Sequence, residues 1–78
     1  MPDLPDDDAW LLEKRRAIGN RIRAARMDQG LTQEKIFLAV PLSRSVYQEI
    51  ESGQGNPRVT TLYRIARVLR VPITDLLN

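Results

Sequence analysis

The chain has 78 residues, neither cysteine nor histidine, and a net charge of +2. That length suits one domain, and the missing thiols and imidazoles exclude disulfides, thiolate metal sites and the commonest general base and zinc ligand. No apolar run approaches a membrane span and the first residues are acidic rather than signal-like, so the sequence reads as a soluble, cytoplasmic protein.

Met1 to Asp7, with two prolines and a run of acids, reads as a disordered acidic tail. Asp8 is placed to cap a helix that begins AWLLEKRR. Residues 8–17 then form a helical extension. The pattern can run on into IGNRIRAARMDQ, where Ile18, Ile22 and Ala25 recur at helical spacing. Gly19 is a weak point, since glycine costs about 1 kcal/mol against alanine inside a helix, and a break there is open. Gly30 ends the element as a left-handed cap.

Thr32 caps a second helix over Gln33 to Val40, and Pro41 stops it. Ser43 caps a third, Arg44 to Ser52, with Val46, Tyr47 and Ile50 on its inner side and Gly53 as its end. Tyr47 reads as core. QGNPR, residues 54–58, is a loop of turn formers. A fourth helix starts at Val59 or Thr60, and Leu62, Ile65, Ala66 and Leu69 make its buried stripe. Arg64, Arg67 and Arg70 form a solvated face. Pro72 opens a short last helix whose Ile73, Leu76 and Leu77 close the core. No strand-like alternation of useful length occurs. The expected fold is all-α, five short helices in a bundle.

Charge is unevenly spread. Residues 1–17 carry five acidic and three basic side chains, residues 18–78 five acidic and nine basic, eight of them Arg. Arg forks suit phosphate oxygens and guanine edges, although an Arg-rich surface also serves plain solubility. Helices two and three, joined by a few residues, have the layout of a helix-turn-helix, whose second helix fits the DNA major groove. Arg44, Ser45, Gln48 and Glu49 on that helix are not needed for folding and can present donors and acceptors. The start of helix two, at Thr32 and Gln33, offers free amides to a phosphate. Short turns and polar outer faces are common in small helical domains, so this layout alone leaves DNA binding and simple solubility both open.

IGNRIRAARMDQGLTQEKI, LSRSVYQEIESGQGNP and TLYRIARVLRVPITDLL resemble the Xre family, the phage-repressor and Cro-like helix-turn-helix regulators. The likeness runs from Ile18 to Leu77 without a gap, and GLTQE, SRS, IESG, NP and VPITDLL agree in order and spacing. It implies a five-helix DNA-binding domain over residues 18–78. It also implies a transcription regulator, most simply a repressor, that binds double-stranded DNA as a homodimer on a palindromic operator. Such a protein would be cytoplasmic in a bacterium or phage, and nucleoid-associated when bound. By the same likeness Arg44, Ser45 and Glu49 read bases, with Gln48 between them at the base rim or backbone. Thr32, Gln33, Ser43, Ser52, Gln54, Asn56 and Arg58 contact phosphates. Arg26 and Glu51 form a structural ion pair between helices one and three. The resemblance implies no cofactor.

Three positions depart from the family pattern. Pro41 stands where relatives carry a turn glycine, so the turn must differ or helix two must end a residue early. Phe37 replaces a small residue, so its ring must rotate away or part the helices. Glu49 is acidic where Gln, Lys or Arg is usual, and can accept from cytosine N4. A second function is a protein-interaction module, an antitoxin or a partner in a larger transcription complex, with the acidic tail and Trp10, Leu11 and Leu12 as its contact. For the DNA-binding homodimer, the resemblance implies a dimer surface at Arg70 to Asn78, with the Trp10 to Leu12 patch as its rival. An enzyme is the poorest fit. There is no Gly-rich phosphate cradle, and Asp6, Asp7 and Asp8 lack a scaffold for a metal.

Overall fold

A computed structural model describes residues 7–77; of the tail expected over Met1 to Asp7, the first six residues lie outside them, as does the last residue of the chain, while Asp7 belongs to the first helix instead. Five helices follow one another: α1 (Asp7–Asp28), α2 (Gln33–Ala39), α3 (Arg44–Ser52), α4 (Val59–Leu69) and α5 (Thr74–Leu77). There is no strand among the described residues.

α1 is one uninterrupted helix of 22 residues. It starts one residue before the expected cap, so Asp8 lies inside the first turn with Asp7, where carboxylates suit the positive end of the helix. Gly19 does not break it. An added Cβ there would lie 2.4 Å from the Glu51 carbonyl oxygen and 2.7 Å from that of Ile50. The absent side chain lets α1 and α3 touch backbone to backbone. The bundle measures 45 × 23 × 20 Å, and the long dimension follows from a helix of about 33 Å at 1.5 Å per residue.

The caps follow the sequence. Thr32 accepts from the Lys35 amide and Ser43 from the Val46 amide, each at 3.2 Å. Gly30 and Gly53 take positive φ, 68° and 83°, which a side chain resists. α2 stops at Ala39, one residue short of the expected Val40, because Pro41 cannot continue it. The turn closes through the Leu42 amide on the Phe37 carbonyl.

The core joins Ile22 of α1, Ile36 and Phe37 of α2, and Tyr47 and Ile50 of α3. From α4 it takes Leu62, Ile65, Ala66 and Leu69, and from α5 Leu76. The Phe37 ring is accommodated by turning inward, tilted 47° against Tyr47 with centroids 6.4 Å apart. Two expectations fail. Leu77 does not close the core but stays 47% exposed on the last turn. Val46 does not face inward either; it is 44% exposed, because Tyr47, Ile50 and Glu51 already define the buried side of α3. Trp10 is 48% exposed, with Lys14 Nζ 5.8 Å from its ring centre, while Leu11 and Leu12 are half-buried.

Candidate nucleic-acid interface

α3 is anchored from behind by a charged cluster. Arg26 Nε and Nη2 donate to the two carboxylate oxygens of Glu51 at 3.1 and 2.8 Å, and its Nη1 donates to the Leu31 carbonyl at 2.9 Å. One guanidinium thus fixes α3, α1 and the α1–α2 turn at once. Glu51 is the buried charge of the bundle among the described residues, and it also accepts from Gln33 Nε2 at 3.2 Å. Burial by itself raises the Glu51 pKa. The hydrogen bonds from Arg26 and Gln33 outweigh this and hold the carboxyl below its ordinary range. The same bond to Glu51 raises Arg26 further. The Tyr47 hydroxyl is buried beside this pair without a hydrogen bond of ordinary geometry, and its pKa is raised, first by burial and then by Glu51.

With that face inward, the opposite face of α3 is open. Arg44, Ser45, Val46, Gln48, Glu49 and Ser52 are all exposed. They divide into two edges. On the edge beside α2, Gln48 Nε2 reaches Gln33 Oε1 at 3.4 Å. Arg44 pairs loosely with Glu34 at 3.6 Å and lies 5.4 Å from the Phe37 ring centre. These exposed contacts hold the side chains up but cost little to exchange for another acceptor. On the edge beside the α3–α4 loop, Val46 and Glu49 border a groove walled by Leu42, Ile50, Asn56, Pro57 and Arg58. The Glu49 carboxylate has no hydrogen-bond or ion partner among the described residues, and neither does the Asn56 amide.

Hydrogen-bond capacity separates the expected phosphate contacts. Thr32 and Ser43 use an oxygen lone pair in capping, so each hydroxyl hydrogen is left to donate outward. Gln33 commits one amide hydrogen to Glu51 and keeps the other. Ser52 instead donates its hydrogen to the Glu49 carbonyl at 3.1 Å, an exposed bond that it would have to exchange to meet a phosphate. The Gln54 backbone amide is committed to that same carbonyl at 2.9 Å, so only its exposed side chain is free. Arg58 is exposed at the start of α4 and makes no side-chain cap bond. The structure brings Gln33 and Gln48 together through their hydrogen bond and Glu49, Asn56 and Arg58 together around the groove, and Gln33 also reaches the Arg26–Glu51 pair.

Val46 is the residue of α3 whose outward placement sequence reasoning missed. The signal was present: an inward Glu51 rotates the buried face of α3 toward Glu51, and at 100° per residue Val46 then turns out.

Residues 22–76 match a family described as helix-turn-helix. An uncharacterised helix-turn-helix-type transcriptional regulator of Sinorhizobium fredii is 32% identical over 67 residues, 86% of this chain and 87% of that protein. The immunity repressor of Bacillus phage phi105 is 33% identical over 78% of this chain and 42% of its own. Among solved structures, the restriction-modification controller protein C.AhdI of Aeromonas hydrophila is 28% identical. It superposes with a TM-score of 0.79 over 82% of this chain and 97% of its own.

Proposed function

The chain belongs to the Xre-like helix-turn-helix family of DNA-binding transcription regulators, and from that premise we propose that it binds a specific double-stranded sequence as a homodimer on a palindromic operator and represses transcription. The observation that carries this is the open face of α3, polar, capped at its N-terminus and anchored from behind by Arg26 and Glu51. A helix presented in this way enters the major groove with its first residues at the base edges.

Residues 18–78 are the DNA-binding domain and residues 8–17 its extension along α1. Arg44, Ser45, Gln48 and Glu49 meet bases. Thr32, Gln33, Ser43, Asn56, Arg58 and the side chain of Gln54 meet phosphates, the first three through hydrogens left over from their internal bonds. Ser52 is better explained as a brace for the end of α3. Two half-sites about one helical turn apart follow from a symmetric dimer.

The test is selection of bound duplexes from a random pool, followed by affinity measured at several salt concentrations. An enriched half-site repeated in two-fold symmetry, with affinity that falls steeply as salt rises, is expected. A pool that enriches nothing in dilute buffer overturns the reading. A second reading, that the chain binds a partner protein, is favoured by one observation: Trp10 is half exposed on α1 and outside the core. Loss of a co-purifying protein on Trp10→Ala would support it.

A further inference from the structure

The groove at the loop edge of α3 is unlike the rest of the interface. Its wall sets the apolar side chains of Leu42, Val46, Ile50 and Pro57 beside the Glu49 carboxylate, which has no partner among the described residues, and Asn56 and Arg58 line it too. Val46 and Glu49 are three residues apart, so their Cβ atoms are neighbours on one face. Val46 is the one exposed large apolar side chain on α3.

In the major groove a carboxylate accepts from the exocyclic amine of cytosine or of adenine, whereas thymine and guanine offer it only acceptors at their O4 and O6 positions. Beside its amine adenine has the N7 acceptor and no carbon that could carry a methyl. A pyrimidine displays its C5 substituent directly beside its C4 substituent. An apolar group next to a carboxylate is therefore complementary to an amine next to a methyl.

We propose that Val46 and Glu49 read one base together, a cytosine methylated at C5, with the amine on Glu49 and the methyl against Val46. This rests on the DNA-binding reading above and deepens it at one position of the half-site. Methylation at that cytosine strengthens binding, by about fourfold per half-site, the worth of one methyl group leaving water. Thymine at the same position keeps the methyl but sets its O4 against the carboxylate, and is rejected. The α2 edge, with Arg44 and Gln48, reads its bases independently of methylation.

The experiment uses the full chain and the duplex enriched from the random pool. Affinity is measured with cytosine, 5-methylcytosine or thymine at each cytosine of the half-site, and with uracil in place of each neighbouring thymine. One cytosine position at which 5-methylcytosine binds tightest and thymine weakest supports the proposal. Val46→Ala then brings the ratio of methylated to unmethylated affinity to one, and Glu49→Gln narrows the gap between 5-methylcytosine and thymine. Both side chains are exposed, and an unchanged melting temperature separates these effects from unfolding.

Several results overturn the proposal while leaving DNA binding intact. These are a selected half-site with no cytosine, a methylation ratio at or below one at every position, or a ratio that Val46→Ala does not change. A loss seen only on uracil substitution would give the methyl contact to a neighbouring thymine and overturns it too. A pool with no enriched duplex removes the DNA-binding reading itself, and the proposal with it.

Discussion

Alanine in place of Gly19 should unfold this protein more readily, although helix propensity says the opposite. In an isolated helix the change would gain about 1 kcal/mol. Here the new Cβ would stand 2.4 Å from the Glu51 oxygen, 2.7 Å from the Ile50 oxygen and 2.9 Å from the Glu51 carbonyl carbon. All three are backbone atoms within α3, so no side chain can swing aside. Relief requires α1 and α3 to part, and the parting pulls Glu51 away from Arg26 as well. Overpacking typically costs about 1–3 kcal/mol, and contact with rigid backbone places this site at the upper end. After the propensity gain, a net loss of about 2 kcal/mol remains, which in a domain this small lowers the melting temperature by roughly 8–16 °C. Thermal denaturation followed by circular dichroism measures it. Asn20→Ala, exposed one residue along the same helix, is the control and should leave the melting temperature level or slightly higher. A Gly19→Ala protein that melts at or above the parent temperature would refute the close contact, and with it the account of how α3 is held.

The remaining predictions concern the charge cluster and the interface. Arg26→Ala strands the Glu51 carboxylate in a site where the two side chains are 13% and 4% exposed, and should cost about 3–5 kcal/mol in chemical denaturation. Glu51 has its pKa lowered by folding, so its contribution is complete above the ordinary carboxylate range and fades as pH falls through the lower folded value. Unfolding curves of Glu51→Gln should therefore depend less on pH on the acid side than those of the parent; equal slopes would contradict that assignment. Arg44→Ala should weaken binding to the selected duplex by about 1–3 kcal/mol and relax preference at one base position with the salt slope kept. A uniform loss on all duplexes, with a shallower slope, would make Arg44 a phosphate contact instead.

The sequence by itself determined the five helices, because caps, prolines, glycines and apolar spacing act within a few residues. Thr32, Ser43, Gly30 and Gly53 do in the bundle what their chemistry does locally. It also exposed the family, since GLTQE, IESG and NP keep their spacing along the chain. The exposed polar face of α3 at Arg44, Ser45, Gln48 and Glu49 was legible for the same reason. What local chemistry could not reach was decided by contacts between distant segments. Gly19 looked like a helix weakness and became the point where α1 meets α3, because only the folded bundle brings the Glu51 carbonyl to it. Val46 turned outward because burying Glu51 against Arg26 fixed the rotation of α3. Ser52 lost its free hydrogen to a carbonyl of its own helix. Which donors and acceptors remain for a ligand is known only after the fold has used the others, and that subtraction depends on packing, which no stretch of sequence holds alone.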